Sequence, residues 1–132
     1  VTWAGRPLDT VTAACGARQR GLNLREAALV LAEPLDGSTK LTNAVADGNV
    51  VLVKRGNNPF VEKAMNAQNA GATAVIIYNN EDGPPFRMGA PHDAAAITIP
   101  VVGITQADGT QLAAAIKAGR TTISLQGTSS FS

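Results

Sequence analysis

The stretch that decides the fold runs from residue 50 to residue 104 and begins with the segment VVLVKRG at residues 50–56. Its first four residues show no polar alternation, which predicts a strand buried on both faces that ends in a turn at Arg55 and Gly56. The segments AVIIYNN at residues 74–80 and IPVVGI at residues 99–104 have the same apolar character. We therefore expect three strands of a close-packed sheet that has helices lying on it.

A helix is predicted between the first two of these strands, over residues 60–70. Asn57 or Asn58 can cap its start, because a side-chain oxygen accepts from the free amides of the first turn. Pro59 then occupies the first helical position, where its missing N–H costs nothing. Gly71 is suited to a left-handed C-cap. Strand, helix and strand with short connections predict a right-handed parallel crossover.

Further elements are predicted on both sides of this unit. Residues 27–32 form an apolar run of strand length, and residues 39–47 have room for one or two helical turns. Thr105 begins a capping box for a second helix that closes at Gly119. Residues 121–126 alternate polar and apolar side chains, a pattern typical of an edge strand.

Composition and charge limit the classes of function. We expect the 132 residues to form a single domain over positions 1–132, and the 45% hydrophobic content is ordinary for a globular fold. The net charge of +1 predicts no nucleic-acid partner. No apolar run approaches the roughly 20 residues of a membrane-spanning helix, so we predict no membrane contact. Because the chain begins at Val1 without a visible signal peptide, we expect a segment of a longer protein.

Candidate catalytic and metal-binding residues are few. Cys15 is the single cysteine and His92 the single histidine, and none of the serines lies in a Gly-x-Ser-x-Gly elbow. A structural zinc site needs about four nitrogen or sulfur ligands, and no EF-hand spacing for calcium is present. The sequence therefore predicts no catalytic residue, no metal and no cofactor.

Anion or nucleotide binding remains an alternative. A strand that leads through residues 55–59 into a helix N-terminus can hold an anion. The glycine-rich phosphate-binding motifs are missing from the sequence, however. A small anion- or nucleotide-binding enzyme domain is therefore the less favoured hypothesis.

A set of short motifs in fixed order lies within residues 47–119. The motifs are Arg55-Gly56, Phe60, Lys63, Asn66-Ala67, Ala70-Gly71-Ala72, Tyr78-Asn79-Asn80 and Ile99-Pro100-Val101-Val102. Together they resemble the protease-associated (PA) domain, and in particular the PA domains of secreted subtilisin-like and fungalysin-type peptidases. The sequence departs from many members at Asn58, where they carry a cysteine in an Arg-Gly-x-Cys-x-Phe turn, so Cys15 lacks that partner.

The resemblance implies a fold, a role and a set of contact residues. The fold is an α/β, PA-type swivelling β/β/α domain with a mixed-sheet or β-sandwich core and helices near 59–71 and 105–119. The role is that of a non-catalytic accessory domain in a larger secreted or luminal hydrolase, where it positions or gates a peptide or protein substrate beside a neighbouring catalytic domain. The alternative is a receptor-type module that binds a peptide cargo.

Contact residues are expected in two loops. In PA-bearing sorting receptors, a turn similar to residues 55–60 binds cargo, which implies contacts through Arg55, Asn57 and Asn58. The long connection over residues 81–98 adds an apolar and cationic mixture suited to a contact patch. Its candidate residues are Phe86, Arg87, Met88 and His92.

Overall fold

The computed structural model describes residues 2–3, 6–7, 10–12, 23–33, 35–39, 41, 49–56, 60–81, 83, 97, 99–119 and 121–126. Within this part of the chain there are eight strands and two helices. They are β1 (Thr2–Trp3), β2 (Arg6–Pro7), β3 (Thr10–Thr12), β4 (Asn23–Leu31), β5 (Val50–Lys54), α1 (Phe60–Asn69), β6 (Ala74–Tyr78), β7 (Val101–Ile104), α2 (Gln106–Ala118) and β8 (Thr121–Gln126).

The described strands form one mixed sheet in the order β2-β1-β8-β4-β5-β6-β7-β3. Its centre is parallel, because β4, β5, β6 and β7 pair in the same direction. The outer pairs β4–β8 and β7–β3 are antiparallel. The parallel β5-α1-β6 unit and the mixed α/β architecture confirm the predictions from the sequence.

Strand β8 corrects one prediction. It was expected at an edge, but it lies between β1 and β4, with Thr2 opposite Ser124 and Ala27 opposite Ile123. The alternation has a different cause: Ile123 is buried on one face of the strand, while Thr122 is exposed on the other. A strand with one solvent-exposed face shows the same alternation of polar and apolar residues as an edge strand.

The pleat of the central strands divides the core into two layers. In β5, Val51 and Val53 face α1, whereas Val50 and Leu52 belong to the layer beneath α2. All four are fully buried, which accounts for the continuous apolar run. Each such side chain contributes about 1.5–3 kcal/mol of hydrophobic stabilisation.

Helix α1 ends as predicted at Gly71. The Gly71 N–H donates to the Gln68 carbonyl at 3.0 Å, and the Ala72 N–H donates to the Ala67 carbonyl at 3.1 Å. This pair of bonds is a Schellman motif, and the φ of 102° at Gly71 is the left-handed conformation it requires. The expected cap at Asn57 or Asn58 and the first helical position at Pro59 lie outside the described residues, as do most of residues 39–47.

Helix α2 begins and ends where the sequence predicts. The Thr105 side chain accepts from the Asp108 N–H at 3.1 Å, as a capping residue does. At the other end, the Gly119 N–H donates to the Ile116 carbonyl. Leu112 and Ala113 are buried against the sheet, so α2 covers the face opposite to α1.

Candidate functional site

The carboxyl ends of the parallel strands are joined by backbone hydrogen bonds that continue beyond the sheet. The Arg55 N–H, just after β5, donates to the Tyr78 carbonyl at 2.9 Å. The Asn79 N–H, just after β6, donates to the Ile104 carbonyl at 3.1 Å. The turn that contains Arg55 and Gly56 therefore lies at the edge of the sheet that is formed by the carboxyl ends of these three strands.

The Arg55 guanidinium is held in place at this edge. Its Nη1 donates to Oδ1 of Asn79 at 3.0 Å, and Asn79 is 5% exposed. Arg55 itself is half-buried. A guanidinium has several donors in a rigid planar fork, so one bond to a buried amide sets the direction of the whole group. The structure thus places one predicted contact residue in a defined orientation at the sheet edge.

Lys63, a residue of helix α1, holds the same turn through hydrogen bonds. Its side chain is 1% exposed, and its Nζ donates to the carbonyl oxygens of Asp36 and Gly56. These carbonyls belong to two separate turns, one after β4 and one after β5. Lys63 therefore connects both turns to α1.

The turn that follows β4, residues 35–39, has further bonds to the same neighbours. The Lys54 N–H donates to the Leu35 carbonyl at 2.9 Å, and Nδ2 of Asn66 donates to the Gly37 carbonyl at 2.8 Å. The Ser38 N–H donates to Oδ1 of Asp36 at 3.0 Å, which closes the turn locally. Strand β5 and helix α1 thus hold this turn beside Arg55.

Burial changes the proton affinity of Lys63. Removal of the ammonium from water lowers its pKa below 10.5, and the nearby charges of Asp36 and Glu62 oppose that change. Because an ammonium has three donors and no acceptor, the two carbonyl partners favour the charged form. The site therefore contains a buried cation whose charge is shielded by carbonyl dipoles and an adjacent carboxylate.

The role of Lys63 as a buried hydrogen-bond donor was not predicted from the sequence. Together with Asn79, Lys63 makes up the buried polar side chains found in the described part of the chain, and both lie at this edge. A signal was available: Lys63 stands three residues after Phe60 and directly before Ala64, on the face of α1 that packs against the sheet. A lysine on an apolar helix face requires buried acceptors.

All of the other predicted contact residues lie outside the described part of the chain. These are Asn57, Asn58, Phe86, Arg87, Met88 and His92, and Cys15 shares that position. The alternative anion site was placed at residues 55–59, of which residues 57–59 also lie outside the described part. Phe60, the first residue of α1, is half-buried and packs against the core under α1.

The described ranges contain neither a cluster of metal ligands nor a helix able to span a membrane. No group of three or more His, Cys, Asp or Glu side chains is clustered there in a way that could hold a metal ion. Neither described helix combines the length and the apolarity that crossing a bilayer demands.

The chain belongs to the PA domain family. The family model matches residues 11–112, which is most of the chain and includes the turn that contains Arg55. The resemblance inferred from the motifs is confirmed by this match.

Individual relatives are larger proteins. The chain is 38% identical over 74 residues to the minor extracellular protease Vpr of Bacillus subtilis, with 56% of this chain and 9% of that protein aligned. It is 43% identical over 76 residues to the aminopeptidase YwaD of the same species, with 58% of this chain and 16% of that protein aligned.

A solved structure supports the same conclusion about the fold. The zinc aminopeptidase BSAP from Bacillus subtilis superimposes with a TM-score of 0.73 and 32% identity. The match covers 94% of this chain and 28% of that chain. In each of these comparisons the chain corresponds to less than a third of the relative, so it is similar to one domain of a larger enzyme.

Proposed function

We propose that this domain is a non-catalytic accessory part of a larger secreted or luminal hydrolase, in which it positions or gates a peptide or protein substrate. The observation that carries the proposal is the Arg55 turn, which Lys63 and Asn79 fix at the carboxyl edge of the sheet. A rigid, half-buried guanidinium can donate hydrogen bonds to a peptide carbonyl or carboxylate without first losing much side-chain entropy.

The relatives support the choice of parent. Two of them are named as proteases or aminopeptidases, one is named as extracellular, and this chain matches a minor fraction of each. We therefore assign bond cleavage to a neighbouring catalytic domain, which is also the nearest partner of this domain. The domain contributes no catalytic group in this proposal.

Removal of the domain from its parent protein tests the proposal. We expect the KM for a folded protein substrate to change, because a positioning surface is lost, while turnover of a single-residue chromogenic substrate is retained. The 132-residue chain alone is expected to cleave neither substrate. Equal kinetics of the intact and shortened enzymes on both substrates, or turnover by the chain alone, would contradict the proposal.

A receptor-type cargo module is the second candidate, and the orientation of Arg55 favours it. In that case the chain binds peptides saturably, and Arg55→Ala weakens binding by roughly 1–3 kcal/mol because a charged hydrogen bond is lost. Calorimetric titration measures the effect. Arg55→Lys is the matched control: it keeps the charge but loses the planar fork, so an intermediate affinity is expected. Unchanged binding by Arg55→Ala would exclude this turn as the cargo site.

A further inference from the structure

A cavity lies on the other face of the sheet, between α2 and the carboxyl ends of β5 and β6. Its volume is about 330 Å³, within the range of about 300–1,000 Å³ typical of small-ligand pockets. The described residues that line it are Leu35, Lys54, Tyr78, Gln106, Thr110, Ala113, Ala114 and Lys117. The sheet therefore separates this cavity from Lys63 and α1.

The register of the sheet brings two of the lining residues together. Lys54 is the Cα partner of Tyr78 across β5 and β6. Both continue the alternation of the α2 face, because Leu52 and Ile76 two residues earlier lie in the layer beneath α2. The last pair of the two strands thus places an ammonium and a phenol side by side at the sheet edge.

Helix α2 supplies the opposite wall. Gln106, Thr110, Ala113, Ala114 and Lys117 recur at helical spacing, so they form one stripe that runs along the side of the helix. Thr110 and Lys117 are exposed, whereas Ala113 is only 8% exposed. The stripe therefore extends from the solvent to the buried layer beneath α2.

The floor of the cavity is rigid. Tyr78 is 5% exposed, and a Cβ added to Gly109 of α2 would lie 2.1 Å from the Tyr78 Cβ. The helix therefore rests directly on this tyrosine. Burial raises the pKa of Tyr78 above 10.0, so its hydroxyl keeps its proton at neutral pH and is able to donate.

The chemistry of the lining selects an anion with an apolar part. Lys54, Lys117, the Tyr78 hydroxyl and the Gln106 amide are all donors. No acidic side chain is found among the described lining residues, and within the described chain neither lysine forms an ion pair. Leu35, Ala113 and Ala114 add an aliphatic wall, which an inorganic anion would leave without a contact.

We propose that this cavity binds a peptide carboxylate, with the two lysines and Tyr78 on the carboxylate and a short aliphatic side chain against Leu35, Ala113 and Ala114. Its position agrees with the general rule that ligands of open α/β sheets bind beyond the carboxyl ends of the strands. The proposal uses other side chains than the Arg55 site: neither Arg55 nor Lys63 lines the cavity, and Lys63 packs on the α1 face of the sheet.

The test is a nuclear magnetic resonance titration of the isotopically labelled chain with N-acetyl-alanyl-leucine and with its C-terminal amide. We expect the free acid to shift the amide signals of Lys54, Tyr78 and Thr110, and the amide to bind about tenfold more weakly or worse, because it lacks the charge. Equal binding of both peptides, no binding of the acid, or shifts confined to other residues would overturn the proposal. Inorganic phosphate forms a third arm, and phosphate binding as tight as that of the acid would overturn the assignment to a peptide.

Variants connect the binding to the cavity. Lys54→Gln with Lys117→Gln is expected to lower the affinity for the acid at least about tenfold, and Lys54→Arg with Lys117→Arg to retain most of it. Ala114→Leu should block the cavity, whereas the same change at the exposed Ala118 of α2, which does not line it, should leave binding intact. Loss of affinity in both leucine variants, or in neither, would contradict the location.

Discussion

Replacement of Gly109 by alanine is expected to lower the free energy of unfolding by about 3 kcal/mol, although the same change normally stabilises a helix by about 1 kcal/mol. The added Cβ would lie 2.1 Å from the Cβ and 2.2 Å from the Cγ of Tyr78. A rotamer change of Tyr78 cannot relieve the first contact, because the Cβ is attached directly to β6. Helix α2 must therefore move away from the sheet and loosen the layer that contains Leu112.

Chemical denaturation monitored by circular dichroism measures this effect. Thr110→Ala is the control, because Thr110 is the exposed neighbour of Gly109 on α2 and its replacement is expected to change stability by no more than about 0.5 kcal/mol. Tyr78→Ala combined with Gly109→Ala should recover little, since alanine retains the Cβ that causes the collision. A Gly109→Ala protein as stable as the wild type would show that α2 does not pack this closely.

Local sequence patterns predicted the helices and the central strands because the causes of those elements are themselves local. The run from Val50 to Val53 is apolar at every position since both faces are covered, and Gly71 ends α1 through its own backbone conformation. The cap at Thr105 depends on a residue three positions away. Each of these signals lies within a few residues of the structure it specifies.

The remaining features depend on contacts between distant segments. The position of β8 inside the sheet follows from its pairing with β1 at the other end of the chain. Lys63 contacts a carbonyl 27 residues away at Asp36, a separation that a helical pattern does not reveal. The pairing of Lys54 with Tyr78 follows from strand register. The Arg55 turn was predicted from a motif, but its fixation by Asn79 required the fold.

Replacement of Lys63 by methionine is expected to lower the free energy of unfolding by about 2–4 kcal/mol. Methionine can fill much of the buried space, so the loss arises from hydrogen bonding and not from a large cavity. The carbonyls of Asp36 and Gly56 lose their shared donor, and an unsatisfied buried polar group costs about 1–3 kcal/mol. The desolvation cost of the buried ammonium disappears at the same time, which offsets part of the loss.

Lys117→Met is the matched control, since Lys117 is an exposed lysine on the other helix and its replacement should change stability by no more than about 0.5 kcal/mol. Chemical denaturation of both variants gives the comparison. Equal stabilities of the Lys63→Met and Lys117→Met proteins would show that the two turns do not depend on the buried ammonium. Peptide binding at Arg55 should weaken in the Lys63→Met protein, because the turn loses its anchor.

The pH dependence of the Lys63→Met effect has a definite sign. Burial lowers the pKa of Lys63 in the folded state, so between that value and 10.5 the unfolded chain binds more protons than the folded one. Stability contributed by Lys63 therefore rises with pH across this interval, as the unfavourable buried charge is removed. Tyr78, whose pKa is raised by burial, acts in the opposite direction above 10.0, but it is present in both proteins and its effect cancels in their difference. The difference in unfolding free energy between the wild type and Lys63→Met should consequently widen as the pH rises toward 10.5. A difference that narrows instead would contradict this, because it would mean that the carbonyl partners stabilise the ammonium more than burial destabilises it.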